Sequence, residues 1–207
     1  MKSNDERLQG ILNRLDSLSY VKSAKIPNIE LYMEQVTTFM DENLKKAKRF
    51  SDDKVLTKTM INNYAKNNLL PPPNKKKYSK EHILLLIFIY YYKNLLSIND
   101  IEQLLLPITE KHFDANSQLT LQEIYEEIFS LEHSQMERLK EDVRIKYENS
   151  KTTFNDPEIE DRDYLQLFAF ICELSFDVYL KKQMIENLVD QLREEEAAEQ
   201  PGRKKRK

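Results

Sequence analysis

Glycine is nearly missing from this chain: among 207 residues only Gly10 and Gly202 occur. Tight β-hairpins and phosphate-cradling loops use backbone conformations that glycine supplies, so its scarcity argues against both and for an all-α protein. Cysteine is scarcer still. With Cys172 alone, an intramolecular disulfide is impossible and no thiolate cage for a metal forms within one chain. Long apolar runs are also missing. The longest, Ile83–Tyr92, falls well short of the roughly 20 residues that a membrane span needs. Met1–Arg7 leads into a charged amphipathic stretch rather than the apolar core of a secretory signal. Together these absences predict a cytoplasmic protein with no membrane partner.

Catalytic signatures are absent too. The chain has no Walker loop, no dinucleotide fingerprint and no His-Glu-x-x-His site. His82, His112 and His133 are far apart, and none has Glu three residues before it, so the di-iron helical-bundle pattern is not present. The expectation is a protein that is not an enzyme, with no cofactor and no metal site. His82 reads as a surface residue in the first turn of its helix.

What the chain does have is charge, unevenly spread. Apolar residues make up 40% and charged residues 32%, a balance that suits a solvated helical protein with a real core. The net charge is −3. Between Leu44 and Lys80, however, eleven Lys or Arg face only Asp52 and Asp53, so that window carries +9 and the remainder −12. Local field decides what a surface attracts, and this window is suited to a polyanion.

Helical periodicity and its punctuation divide the chain into five parts. Residues 1–25 are an N-terminal extension whose helix, over 5–19, has Leu8, Ile11, Leu12, Leu15 and Leu18 at helical spacing. Residues 26–106 form a head. Asn28 is expected to cap a helix running to Ala47, with Leu31, Val36, Phe39, Met40 and Leu44 inward. Thr57, Ser97 and Thr120 each stand at a helix start behind a leucine and four residues before an isoleucine, the spacing of a hydrophobic staple. Ser79 is expected to cap an apolar helix from Lys80 to Asn94. The run Tyr90-Tyr91-Tyr92 inside it reads as core packing rather than base stacking.

Pro107 is expected to close the helix that begins at Ser97, leaving 107–118 as a linker. Residues 119–193 read as a C-terminal helical region with helices over 120–149 and 161–193. Gln135 interrupts the first as a coiled-coil seam. Tyr164–Phe176 is apolar nearly all round and calls for burial on several sides. A pocket lined by Phe168, Phe170 and Phe176 is one outcome, and core packing is the favoured one. Residues 194–207 read as a disordered charged tail, its Lys-Lys-Arg-Lys run serving as an electrostatic arm.

Function concentrates in the segment from Leu56 to Pro73. Ile61, Tyr64 and Leu69 point to a core, whereas Lys58, Asn62, Asn63, Lys66 and Asn67 are left outside. Asparagine is a mediocre helix former, so four in seven residues are not there to stabilise a helix. Asn bonds adenine in a bidentate manner and Lys pairs with guanine or phosphate. Pro71-Pro72-Pro73 is expected to end the helix after Leu70 and hold Asn74–Lys77 extended, presenting Lys75, Lys76 and Lys77 to phosphates.

These residues resemble a known arrangement. Thr59–Pro72, then Lys77-Tyr78-Ser79-Lys80-Glu81-His82-Ile83, then Leu96-Ser97-Ile98-Asn99-Asp100-Ile101 look like the MerR-type winged helix-turn-helix. That family has a recognition helix ending in Tyr and Leu-Leu-Pro, an Arg-x-Tyr-Ser wing end and a further apolar helix. Ile26–Val36 and Val55–Tyr64 resemble, more closely, an uncharacterised bacterial family known as a domain of unknown function with a MerR-like head. The likeness covers about 26–106, and Asn62-Asn63 stand where MerR proteins usually show Arg-Tyr. It implies a winged head on double-stranded DNA and a homodimer formed through a long C-terminal helix, for which 120–149 is the matching candidate. The resulting expectation is a dimeric transcription regulator that binds DNA through Lys58, Asn62, Asn63, Lys66, Asn67 and Lys75–Lys77. The alternative is a protein-interaction or scaffold module with a degenerate head.

Overall fold

In the computed structural model, residues 2–18 and 20–199 are described, so the basic tail lies outside the described residues. The chain is mainly helical, as expected, with one small sheet. It divides into two compact units. One joins the N-terminal helix to Ser130–Gln183, and the other joins Tyr20–Phe129 to the described residues from Met184 onward.

The larger unit is built around one helix. α4 (Lys80–Tyr92) buries every residue from His82 to Tyr90. A helix apolar all round must be covered on all sides, and here the other elements of the unit supply the cover. α2 (Met33–Leu44) contributes Val36, Met40 and Leu44, α3 (Lys58–Lys66) Ile61 and Tyr64, and α5 (Ile98–His112) Ile101 and Leu105. α6 (Leu121–Ser130) adds Leu121 and Tyr125. Tyr91 and Tyr92 pack against the same core, so the tyrosine run is packing.

Several local expectations are corrected. Asn28 does not cap a helix. Leu31–Tyr32 instead forms strand β1, paired antiparallel with β2 (Lys77–Tyr78) in the register Leu31↔Tyr78 and Tyr32↔Lys77. Pairing holds residues 31–32 extended, and α2 starts only after them, where Gln35 Oε1 accepts the Tyr32 N–H at 2.8 Å. Pro107 lies inside α5, which runs on to His112. A proline there removes one helical hydrogen bond, at a cost of roughly 3 kcal/mol. Ile108 and Phe113 beyond it pack on the core and hold the chain across the break. The helix expected over 120–149 is divided at Leu131 into α6 and α7 (Glu132–Lys151).

The caps at Thr57, Ser97 and Thr120 form as read, but Leu119 is 47% exposed, so the staple expected behind Thr120 does not form. Thr57 accepts from the Met60 N–H at 3.2 Å, and Ser97 with Asp100 closes a capping box. Glu123 accepts the Thr120 N–H at 2.8 Å. The two staples behind the first two caps are real, since Leu56, Ile61, Leu96 and Ile101 are all buried.

In the second unit, α1 (Asn4–Ser17) packs on α7. Leu12, Val143, Tyr147 and Phe170 form its core, the last from the first half of α8 (Arg162–Glu199). The phenol of Tyr147 donates to Asp5 at 2.7 Å. Phe168 and Phe176 are 52% and 64% exposed whereas Phe170 is buried, so these three rings do not line one pocket. Tyr164, Ile171, Val178 and Tyr179 are exposed as well.

Candidate nucleic-acid interface

α3 is short, and its two faces are chemically distinct. Ile61 and Tyr64 are buried, and Thr59, Asn62, Asn63 and Lys66 are exposed at the i, i+3, i+4, i+7 spacing of one helical face. No carboxylate occurs in the helix. Thr59 belongs to this face and was not among the residues singled out from the sequence, although the helical period through Asn62 and Asn63 leads to it.

The end of α3 changes the meaning of its asparagines. The helix stops at Lys66, before the prolines, because Asn68 turns left-handed at φ 57°. The Leu69 N–H then reaches back to the Tyr64 carbonyl at 3.0 Å, and the Asn68 N–H to Ala65 at 3.4 Å. This is a Schellman-type stop, which asparagine tolerates better than any residue but glycine. The Asn67 side chain donates to the Asn63 carbonyl at 2.7 Å. Two of the four asparagines therefore serve the helix end, and Asn62 and Asn63 carry the outward face.

The segment Asn74–Lys77 is not extended but a tight reverse turn. The Lys77 N–H bonds the Asn74 carbonyl at 2.8 Å, and Lys75 and Lys76 sit between at φ 48° and 66°. Two consecutive left-handed residues define the hairpin turn in which Asn-Gly is favoured. Lysine there is strained by about 1 kcal/mol or more per residue. The prolines precede this turn, and an antiparallel bridge between Asn74 and Lys77 closes it.

The lysines expected at the interface fall into two groups. Lys58 pairs with Glu34 of α2 at 2.5 Å, and its hydrogen bond holds the Glu34 carboxyl below the usual range. Lys77 lies 3.8 Å from the Glu30 carboxylate and 5.7 Å from the Tyr32 ring centre. Lys66, Lys75 and Lys76 are exposed and make no ion pair among the described residues.

Behind the turn stands His82, which is buried rather than superficial. Its Nδ1 accepts the Ser79 N–H at 3.0 Å, and its ring meets Tyr78 and Phe113 edge to face. Nδ1 as acceptor places the proton of the neutral ring on Nε2, which is buried without a hydrogen-bond partner among the described residues. Burial lowers the His82 pKa, against the opposing pull of the Pro72 and Pro71 carbonyls, Glu81 and Glu30. A histidine at the third helical position gave no sequence signal of burial, because its packing partner Phe113 comes from a distant helix end.

Among the described residues, no group of three His, Cys, Asp or Glu side chains is placed to hold a metal ion. No described helix is long and apolar enough to cross a membrane. No curated protein and no solved structure matches the chain. A family profile does, over residues 21–128, bounds that fall within one residue of the Tyr20–Phe129 segment of the larger unit. The chain belongs to the family described as a domain of unknown function, DUF1836.

Proposed function

We propose that the protein binds double-stranded DNA through α3 and the 74–77 turn, as a MerR-like winged helix-turn-helix head, and acts as a homodimeric transcription regulator. The carrying observation is the exposed face of Thr59, Asn62, Asn63 and Lys66, on a helix with no carboxylate in a protein of net negative charge. In this reading Asn62 and Asn63 meet base edges in the major groove, and Lys66, Lys75 and Lys76 meet phosphates. Lys58 and Lys77, each beside a carboxylate at Glu34 and Glu30, contribute less to the salt-dependent part of the affinity.

The test is fluorescence anisotropy on a duplex pool at two salt concentrations. Wild type binds with a steep salt dependence. Lys75→Ala/Lys76→Ala binds more weakly with a salt slope reduced by about 2, roughly 0.9 per phosphate contact. Lys58→Ala moves the slope little. Absence of duplex binding by the wild type at low salt overturns the reading.

Dimerisation rests on α8, where exposed Tyr164, Phe168, Ile171 and Val178 recur at coiled-coil spacing interrupted by Ser175. The same exposed face is what favours the second reading, a protein-interaction module that has no DNA ligand. Light scattering separates them: a dimer that dissociates on Ile171→Glu supports the first.

A further inference from the structure

The outward face of α3 has hydrogen-bonding groups that the fold does not use. The Asn43 and Asn67 amides each donate to a carbonyl four residues back, at 2.9 and 2.7 Å. Asn62 and Asn63 are exposed in mid-helix and do otherwise. Among the described residues neither of their side-chain amides has a hydrogen-bond partner, and nor does the Thr59 hydroxyl one turn earlier. Each amide therefore presents an acceptor and two donors in one plane to whatever lies outside the helix.

The same face is poor in groups that read guanine or cytosine. Arginine makes the commonest specific contact to guanine, and none occurs between Arg49 and Arg138. Lysine can make that contact too. Lys58, at the start of α3, is held by Glu34 at 2.5 Å, and Lys66 stands in the last turn. A recognition helix meets base edges mainly through its N-terminal residues, which leaves Lys66 to the backbone. A carboxylate accepts from the cytosine amino group, but that of Glu34 is occupied by the same ion pair.

What remains is complementary to one kind of base pair. In the major groove adenine offers N7 as acceptor and its N6 amino group as donor, the counterpart of a side-chain amide. Thymine offers a C5 methyl, which the methyl of a threonine can meet. Thr59 precedes Asn62 and Asn63 by about 4.5–6 Å along the helix axis, against roughly 3.4 Å per base pair. The face thus spans roughly two or three consecutive pairs. We infer that α3 selects A·T over G·C pairs in the major groove, a selection that rests on the duplex-binding reading of the same helix. Asn62 and Asn63 read adenine, and Thr59 reads the thymine methyl. Lys66, Lys75 and Lys76 add affinity without preference, since phosphates carry no sequence.

The experiment is fluorescence anisotropy of the full-length protein, at one low salt concentration, on alternating dA–dT, dG–dC and dI–dC duplexes. Inosine lacks the 2-amino group of guanine, so dI–dC shows G·C groups in the major groove and an A·T-like pattern in the minor groove. Wild type is expected to bind dA–dT about tenfold more tightly than either other duplex, the effect of one good base contact. Asn62→Ala/Asn63→Ala brings that ratio near one while dG–dC affinity and helical circular dichroism stay unchanged. Wild type binds a dA–dU duplex, which lacks the methyl, more weakly than dA–dT, and Thr59→Ser binds the two equally. Absence of binding to every duplex overturns the DNA-binding reading and this selection with it. Equal binding of dA–dT and dG–dC overturns the selection alone. So does dI–dC binding as tight as dA–dT, which assigns the preference to the minor groove, or a preference undiminished in the asparagine variant.

Discussion

Asn68 shows how one residue type can serve two ends within a single turn of chain. Its left-handed backbone ends α3, whereas Asn62 and Asn63, a turn or two earlier, face outward with no such duty. Asn68→Gly is therefore expected to keep the stop and stabilise the protein by a few tenths of a kcal/mol, since glycine carries no Cβ penalty there. Asn68→Ala is expected to destabilise it by about 1 kcal/mol. Urea unfolding checks both, and neither change should alter duplex affinity. Asn62→Ala, by contrast, should leave stability within about 0.5 kcal/mol and weaken DNA binding. A loss of DNA affinity in Asn68→Gly would mean that the wrong asparagines have been assigned to the interface.

At the scale of the element, the 74–77 turn holds lysines where turn chemistry favours Asn-Gly. A conformation that costs free energy without a folding benefit points to function at that place. Lys75→Asn/Lys76→Gly is accordingly expected to raise stability by about 1 kcal/mol while it lowers duplex affinity. A variant that gains both stability and affinity would remove the wing from the interface. The comparison has to be made at one salt concentration, because the affinity term is largely electrostatic.

For the whole molecule, acid should destabilise the Tyr20–Phe129 unit in two steps. His82 is buried and its pKa is lowered, so the unfolded chain takes up a proton that the folded one refuses. The stability His82 contributes is complete above its ordinary value of 6.5 and declines as pH falls from there toward the lowered folded value. Asp100 behaves differently. Burial alone would raise its pKa, yet the Ser97 hydroxyl, the Arg193 guanidinium and the Ser97 N–H together hold it below 3.8. Its contribution is complete above that value and is lost below it. Urea midpoints measured from pH 8 to pH 3 should show both declines. His82→Gln should abolish the first alone, since Gln at that position can accept the Ser79 N–H as Gln35 accepts that of Tyr32 but does not titrate. A persistent first decline in this variant would assign it to another group.

The sequence by itself determined the helical class of the chain and the capped starts of three helices. Caps and staples are local devices, written within five residues of one another, and so Thr57, Ser97 and Thr120 start helices as their neighbours dictate. It also determined the outward face of α3, since helical period follows from spacing alone. Tertiary structure decided what depends on distant partners. Leu31–Tyr32 is a strand because Lys77–Tyr78 pairs with it, and α5 survives Pro107 because Ile108 and Phe113 find the core. His82 is interior because Tyr78 and Phe113 close around it. Lys58 and Lys77 are paired with Glu34 and Glu30, residues 24 and 47 positions away along the chain. Spacing encodes a local field, but which charges remain unneutralised is settled only when the chain has brought its carboxylates home.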